Sequence, residues 1–575
     1  MRLNWISRVV GGALVLVVGT GCDNSGDRPE APLASPTNAG EATESDPNGG
    51  QDANAIYPEP SSSNGDPAPG DGDVGLDGAD YNAGAAASEE PVDPIVSNAG
   101  DQYEAVGTNP FVITSFDPFS TFAADVDTAS YDIFRRDVGY GLLPDPDSVR
   151  LEEYVNSFDY DYPAPSHDAE VPFSISLAAG PSFFERNSVT LRVGIQGKLA
   201  PPDEKKPANI VFLIDTSGSM QTSDKLPLVK EVLSHSLEVL EAGDTVSIVT
   251  YAGSVRVALE PTPVAQKTAI LDALEGLEAG GSTAGAAGIE LAYQQAQAGF
   301  IDGGINHVVL CTDGDFNVGI SSDEALVDLI EEERKTGITL TALGFGIGNL
   351  NDSMMEKVSN AGNGIYSVIT SEENAHEYAE ESLLATMTHI AKDLKLQIEF
   401  NPEKVYAYRL LGYENRAILD DEFRDDTVDA GEIGSGHRVT ALYELVLQDE
   451  VPNVAGAPEA LDGEPNTLPL EVAASDLVLV KVRYKDVDAT ETDPAYEVNA
   501  SLAPEAVATS LEQLDADFQW AVGVASFAEV LKDSPFAGVS MLPAIRNALA
   551  NEAHDLYADR VEFRLLFDQA SDLIE

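Results

Sequence analysis

The chain has 575 residues, 43% of them hydrophobic, which is enough for several buried cores and, at roughly 100–200 residues per domain, for about three domains. Its 98 acidic residues outnumber 32 basic ones, giving a formal net charge of -66 that argues against nucleic acid as a partner and against attraction to an anionic bilayer. Two cysteines are too few for a disulfide framework.

Residues 1–22 come first. Arg2 and Arg8 flank Trp5 and Ile6, and Val9 to Val18 supplies an apolar run of about ten residues, shorter than a membrane span requires. The segment reads as an export signal. Its ending, Gly19-Thr-Gly-Cys22, resembles the bacterial lipoprotein signal, with Gly19 where that family usually carries Leu or Val. The resemblance implies that Cys22 is lipidated, becomes the new N-terminus and anchors the protein to a membrane of the cell envelope, on the periplasmic side or at the cell surface. From residue 23 to 105 the chain is Gly, Ala, Ser, Pro, Asn and acids. Between residues 23 and 104 there are 18 acids and one base. Such a composition cannot bury enough apolar surface to offset its ordering entropy, so it reads as a disordered acidic tether, roughly 50 Å in mean extent if it behaves as a flexible coil.

Residues 106–200 read as a small α+β domain. Tyr131, Phe134 and Val138 share one face of a helix, with Asp127 and Thr128 at its N-cap, where capping is a commoner role than metal ligation. A short helix from Val149 to Phe158 and strands at Val171–Leu177 and Val189–Ile195 follow.

Residues 201–371 alternate strand and helix, which predicts an α/β domain with a doubly wound, mostly parallel sheet. Asn209–Ile214 is a continuous apolar strand, and Leu226, Val229, Leu233, Leu237 and Leu240 form one helical stripe. Thr245–Tyr251 and Val255–Leu259 are joined by a link short enough for a hairpin, hence one antiparallel edge. A helix at Val264–Leu277, a glycine loop at Ala279–Gly285, a helix to about Ala298, strand His307–Thr312, helix Asp323–Arg334 and strand Ile338–Leu343 complete the pattern. Ligand sites of such sheets lie at the carboxyl ends of the strands, where strand order reverses. Asp215, Ser217 and Ser219 follow the first strand, Thr283 sits in the glycine loop, and Asp313 ends the strand begun at His307. Two carboxylates brought together repel unless a cation lies between them, and an oxygen-only donor set suits Mg²⁺, Mn²⁺ or Ca²⁺.

Residues 372–575 read as an α+β or β-sandwich domain. A helix is expected from about Glu373 to Lys392, then strands at Leu394–Phe400, Thr440–Leu447 and Leu477–Tyr484, and helices at Ala516–Leu531 and Met541–Ala550.

The motifs DTSGSM, GGSTAG and CTDG, in that order on those elements, resemble the metal-ion-dependent adhesion site of the von Willebrand factor A domain family. The resemblance implies that Asp215, Ser217, Ser219, Thr283 and Asp313 coordinate a divalent cation, Mg²⁺ foremost, whose coordination a protein partner's Asp or Glu carboxylate completes. DVDTASYDIFRRDV and VRLEEYVNSFDYDYP before that domain, and YRLLGYENRAILDDEFRDDTVDAGEIGSGH after it, resemble the flanking domains of bacterial von Willebrand factor A lipoproteins. A non-enzymatic, lipid-anchored adhesion protein is the expectation. A metal-dependent hydrolase and a structural envelope protein with a stabilising metal are the competing readings. An aspartic protease wants Asp-Thr-Gly-Ser, whose register the extra serine spoils, and no histidine can be placed for a subtilisin-like triad. A phosphoryl-transfer aspartate brings a basic residue, and none lies close by in the loops. Cys311 reads as a buried strand thiol, Gly344–Gly348 as a strand-end turn and His437 as a loop histidine.

Overall fold

The computed structural model describes residues 98–574 apart from 167, 185–187, 200–204, 282–284, 315–322, 384–387, 429, 449–464, 488 and 490–492. Cys22 and residues 23–97 of the expected tether lie outside the described residues, whereas its last residues, 98–105, are described and correct the expectation: Asp101 is held by Arg136 and by Gly348 N and Leu350 N.

The sheet expected at the centre of the chain is present. Its order is Tyr366–Ile369, Thr339–Phe345, Ile305–Thr312, Ala208–Asp215, Thr245–Tyr251 and Val255–Pro263. All neighbours are parallel except the last pair, which forms the antiparallel edge. The strand Ala208–Asp215 is buried along its whole length, so both of its faces must be apolar. Ile210, Phe212 and Ile214 pack with Val229, Leu233 and Leu237 of helix Leu226–Val239, whereas Val211 and Leu213 pack with Ile289, Tyr293 and Ala296 of helix Gly285–Ala298. The period of two along the strand thus divides one apolar run between two helical layers.

The two flanking regions, separate in sequence, are joined by strand pairing. One antiparallel sheet runs Val112–Ile113, Val405–Leu411, Arg438–Leu447, Ser188–Gly197, Phe173–Pro181. In the other, His389–Phe400 pairs with Val478–Lys485 along one side, while Gly431–Gly434 and Phe119–Ala123 divide its other side. Tyr496–Leu502 closes that sheet. Leu191, Val193 and Ile195 from the first sheet and Leu396, Ile398 and Val480 from the second share one core, which makes a β-sandwich. The helices of the two regions merge as well. Phe563 of helix Ala558–Ile574 meets Tyr131, Phe134 and Phe158 from the N-terminal side and Trp520 and Phe527 from the C-terminal side.

Two local expectations are corrected. The helix expected to reach Lys392 is Glu372–Glu377 continued by one π-helical turn, Tyr378–Ser382, and His389 already begins the strand. Residues 389–392 read as helix by local pattern, but Gly431–Gly434 offers them strand partners, and tertiary pairing overrides propensity. Thr128 does occupy the N-cap position of helix Ala129–Gly139, yet its hydroxyl donates to Asp132 rather than capping, and Asp127 accepts from Tyr366 N and Arg416.

Strand Val405–Leu411 carries Arg409, fully buried, which donates to Glu529 Oε1 at 2.8 Å on helix Ala516–Leu531 and to Glu444 Oε2 at 3.2 Å on the neighbouring strand. Replacing it by methionine leaves two buried carboxylates without their cation. Arg409→Met is expected to lose about 3–5 kcal/mol in urea unfolding near neutral pH. Burial already holds the Glu444 carboxyl above its ordinary range against the pull of Arg409, so in the variant a proton binds the folded state more tightly than the unfolded one. The deficit therefore shrinks on acidification and grows as pH rises, which unfolding curves at several pH values measure.

Candidate metal centre

Ala208–Asp215 has Thr245–Tyr251 on one side and Ile305–Thr312 on the other, so strand order reverses at its carboxyl end. Ile214 stands opposite Cys311 in the parallel register, which brings Asp215 and Asp313 to adjoining strand ends. Asp215 and Asp313 are fully buried and Ser217 nearly so, while Ser219 is exposed. Ser217 N donates to Asp215 Oδ1 at 2.7 Å, bending the chain back over the carboxylate, and Thr312 Oγ1 donates to Asp215 Oδ2 at 3.3 Å. The hydroxyls of Ser217 and Ser219 lie 2.9 Å apart, and Ser219 hydrogen-bonds Asp313. Gly218 N donates to Gly281 O at 3.1 Å and Gly280 N to Thr216 O at 2.8 Å, docking the start of the glycine loop on the DTSGS turn. Thr283 of that loop lies outside the described residues. Four of the five residues singled out in the sequence are therefore gathered at one point.

The two carboxylates are held differently. Burial raises Asp215 to about 6, the charge of Asp313 adds to this, and hydrogen bonds from Ser217 and Thr312 oppose it. Burial also acts to raise Asp313, but a hydrogen bond from Asn349, the ammonium of Lys225 and the Ser219 hydroxyl outweigh it and leave Asp313 below the ordinary carboxyl range.

Lys225 corrects the reading that no base lies nearby. It stands ten positions after Asp215, at the N-cap of helix Leu226–Val239, and its Nζ donates to Asp313 Oδ2 at 2.9 Å and to Asn349 Oδ1 at 2.7 Å. In sequence a lysine at a helix start reads as solvated, and its partner is 88 residues away. The ammonium is reached by laying the side-chain stem across Gly346, where a Cβ would overlap it. Gly346 O in turn accepts from Arg136 Nη1 at 2.9 Å. Arg136 pairs with Asp101 at 2.7 Å, and Asp101 also accepts from Gly348 N and Leu350 N at 2.7 and 2.8 Å. The segment around Asp101 is thereby strapped over the loop behind the cluster.

The donors present are oxygens, and one ammonium faces two buried carboxylates. Among the described residues Asp215 meets only neutral hydrogen-bond donors. That set fits a hard divalent cation in both charge and donor type. Cys311, by contrast, is buried in its strand, and burial raises its thiol pKa, so it takes no part.

Gly314 turns the chain away from Asp313 with φ +89°, and a Cβ there would run into the backbone of Leu350 and Asn351. Gly314→Ala is expected to cost about 1–3 kcal/mol in chemical denaturation. Gly280→Ala, whose Cβ meets open space, should stay within about 0.5 kcal/mol of the wild type. Equal effects at the two positions would show that crowding at the centre does not constrain the chain.

Comparison with known proteins places these features in context. Residues 209–381 match the family model of the von Willebrand factor type A domain, residues 97–192 a model described as von Willebrand factor, and residues 385–573 a model for the C-terminal part of the uncharacterized protein YfbK. The chain is 36% identical over 482 residues to YfbK of Escherichia coli (strain K12), covering 83% of this chain and 82% of that protein. A narrower match of 28% over 167 residues joins 28% of this chain to 17% of human inter-alpha-trypsin inhibitor heavy chain H2. Among solved structures, a von Willebrand factor type A protein from Catenulispora acidiphila aligns with 69% of this chain and 89% of its own, at 17% identity and a TM-score of 0.39.

Proposed function

The chain belongs to the family of von Willebrand factor type A domain proteins that includes Escherichia coli YfbK, and from that membership we propose that its central, protein-interaction domain binds a divalent cation and, through it, an acidic group of a protein partner. Asp215, Ser217, Ser219 and Asp313 hold the cation, Mg²⁺ foremost, with Thr283 as the further donor that the family motif implies. When bound, the ion supplies an electrophilic position to an incoming carboxylate. Ser217 N and Thr312 fix the orientation of Asp215, and Lys225 with Asn349 keeps Asp313 ionised and aimed at the cluster. The observation that carries this reading is a buried carboxylate, Asp215, set beside a second one and given, among the described residues, only neutral donors.

The state of the base at the cluster supports reading it as a binding module and not as an enzyme. Lys225 is buried and engaged by Asp313 and Asn349, which keeps it from serving a phosphate or moving a proton. The same proposal places the protein in the cell envelope through lipid at Cys22. Among the described residues no helix is long and apolar enough to cross a membrane.

Thermal unfolding with Mg²⁺ and with chelator tests the ion. At Mg²⁺ about 100 times its Kd, the wild type should gain about 2.7 kcal/mol, and Asp215→Ala should gain nothing. A pull-down from envelope extract should retain a partner in Mg²⁺ and lose it with chelator and in Asp215→Ala. A partner held equally under all three conditions overturns the metal-bridged reading. Mass spectrometry of the mature N-terminus should find an acylated Cys22, and an unmodified cysteine overturns the anchor.

A further inference from the structure

Helix Leu226–Val239 and helix Glu372–Glu377 lie against one another on the outer side of the central domain. Each presents a glutamate and a histidine four positions apart, Glu231 with His235 and Glu372 with His376, a spacing that puts both side chains of a pair on one face of its helix. The faces meet. Ligand atoms of Glu231, His235 and Glu372 all lie within 4.8 Å of one another, and the His235 and His376 rings have centroids 4.8 Å apart. His235 Nε2 is buried and makes no hydrogen bond. A surface cavity opens over the group, lined by His235, Glu372 and His376. Glu380 Oε2 lies 3.6 Å from His376 Nδ1.

We propose that these two Glu-x-x-x-His pairs form a second metal site, selective for a borderline transition ion of the Zn²⁺ class. Two carboxylates at this separation repel and favour a cation between them. Two imidazole nitrogens make the donor set nitrogen and oxygen, which suits Zn²⁺ and discriminates against Mg²⁺ and Ca²⁺. Among the described residues the buried Nε2 of His235 has no partner to satisfy it, and a metal would do so. His376, with 46% of its side chain exposed, provides the entry side, and Glu231 and His235 the inner side. An ion there ties the helix that follows the DTSGSM turn to helix Glu372–Glu377, both of which pack on the central sheet.

The test is equilibrium dialysis of the full chain against Zn²⁺ in excess Mg²⁺, which keeps the oxygen-lined centre occupied. The wild type and Asp215→Ala should each bind one Zn²⁺, and His235→Ala and His376→Ala should each bind at least about tenfold more weakly. Co²⁺ in place of Zn²⁺ should give visible bands of nitrogen and oxygen ligation that vanish in His376→Ala, a half-exposed position whose loss leaves the core intact. No Zn²⁺ uptake by the wild type, uptake unchanged in both histidine variants, or uptake abolished by Asp215→Ala would each overturn the proposal.

Discussion

A carboxylate taken out of water needs a cation or a dense set of donors, and in this chain 98 acids compete for 32 bases. The bases that are buried sit where acids from distant parts of the sequence converge. Arg416 pairs with Asp125 and Asp127 from the N-terminal region and with Glu356 from the central domain, at 2.9 to 3.0 Å. Arg150 grips Asp352 with two nitrogens and also meets Glu153 and Glu356. Both arginines thus end on helix Asp352–Ala361, one from each flanking region, and the central domain is pinned between them. The pairing is directional. A planar guanidinium accepts only a few carboxylate orientations, so it fixes how that helix lies as well as neutralising it. Even so the compensation is incomplete: burial and the neighbouring Asp125 charge hold Asp127 well above its usual pKa despite Arg416.

The proposed metal centre is the same problem with, among the described residues, a base left out. Asp313 has Lys225, and Asp215 has an amide and a hydroxyl. Had both acids been given a lysine, the cluster would be a closed ion-pair network like those at Arg150 and Arg409. The missing positive charge separates a structural cluster from one that has work for a cation. Lys225 in turn depends on Gly346, Arg136 and Asp101, so a strap near the start of the described chain helps set how Asp313 is held. Whether that chain of contacts couples the strap to the site is a matter of energy, and the contacts alone supply only the path.

What the sequence disclosed and what it hid divide along sequence distance. The strand ending at Asp215 and the helix Ala516–Leu531 carry their signal in neighbouring residues, as an unbroken apolar run and as a helical period. The DTSGSM and CTDG turns were legible because each sits on one strand end, and the parallel register does the rest. Lys225 was not legible, since nothing near it in the chain distinguishes a lysine bound to Asp313 from a solvated one. Asp127 read as a cap because capping is local, whereas its partners Tyr366 and Arg416 lie 239 and 289 residues away. A β-sandwich was among the readings of residues 372–575, but that both flanking regions build it was hidden for the same reason: Arg438–Leu447 pairs with Ser188–Gly197 across the whole central domain, and neither strand records the other in its own pattern.

One helix links the two clusters rich in ligand atoms. Lys225 caps Leu226–Val239 and reaches Asp313, and Glu231 and His235 project from the same helix further along, at roughly 9 and 15 Å by helical rise. Val229, Val232, Leu233 and Leu237 of that helix are buried against the sheet, so it moves as a unit or not at all. A movement of the whole helix that draws Lys225 from Asp313 would carry Glu231 and His235 with it and change their distance to Glu372 and His376. An ion seated at the proposed site between the two glutamate and histidine pairs would resist that movement, and the holding of Asp313 at one end of the helix and of Glu231 and His235 at the other would then be terms in a single equilibrium.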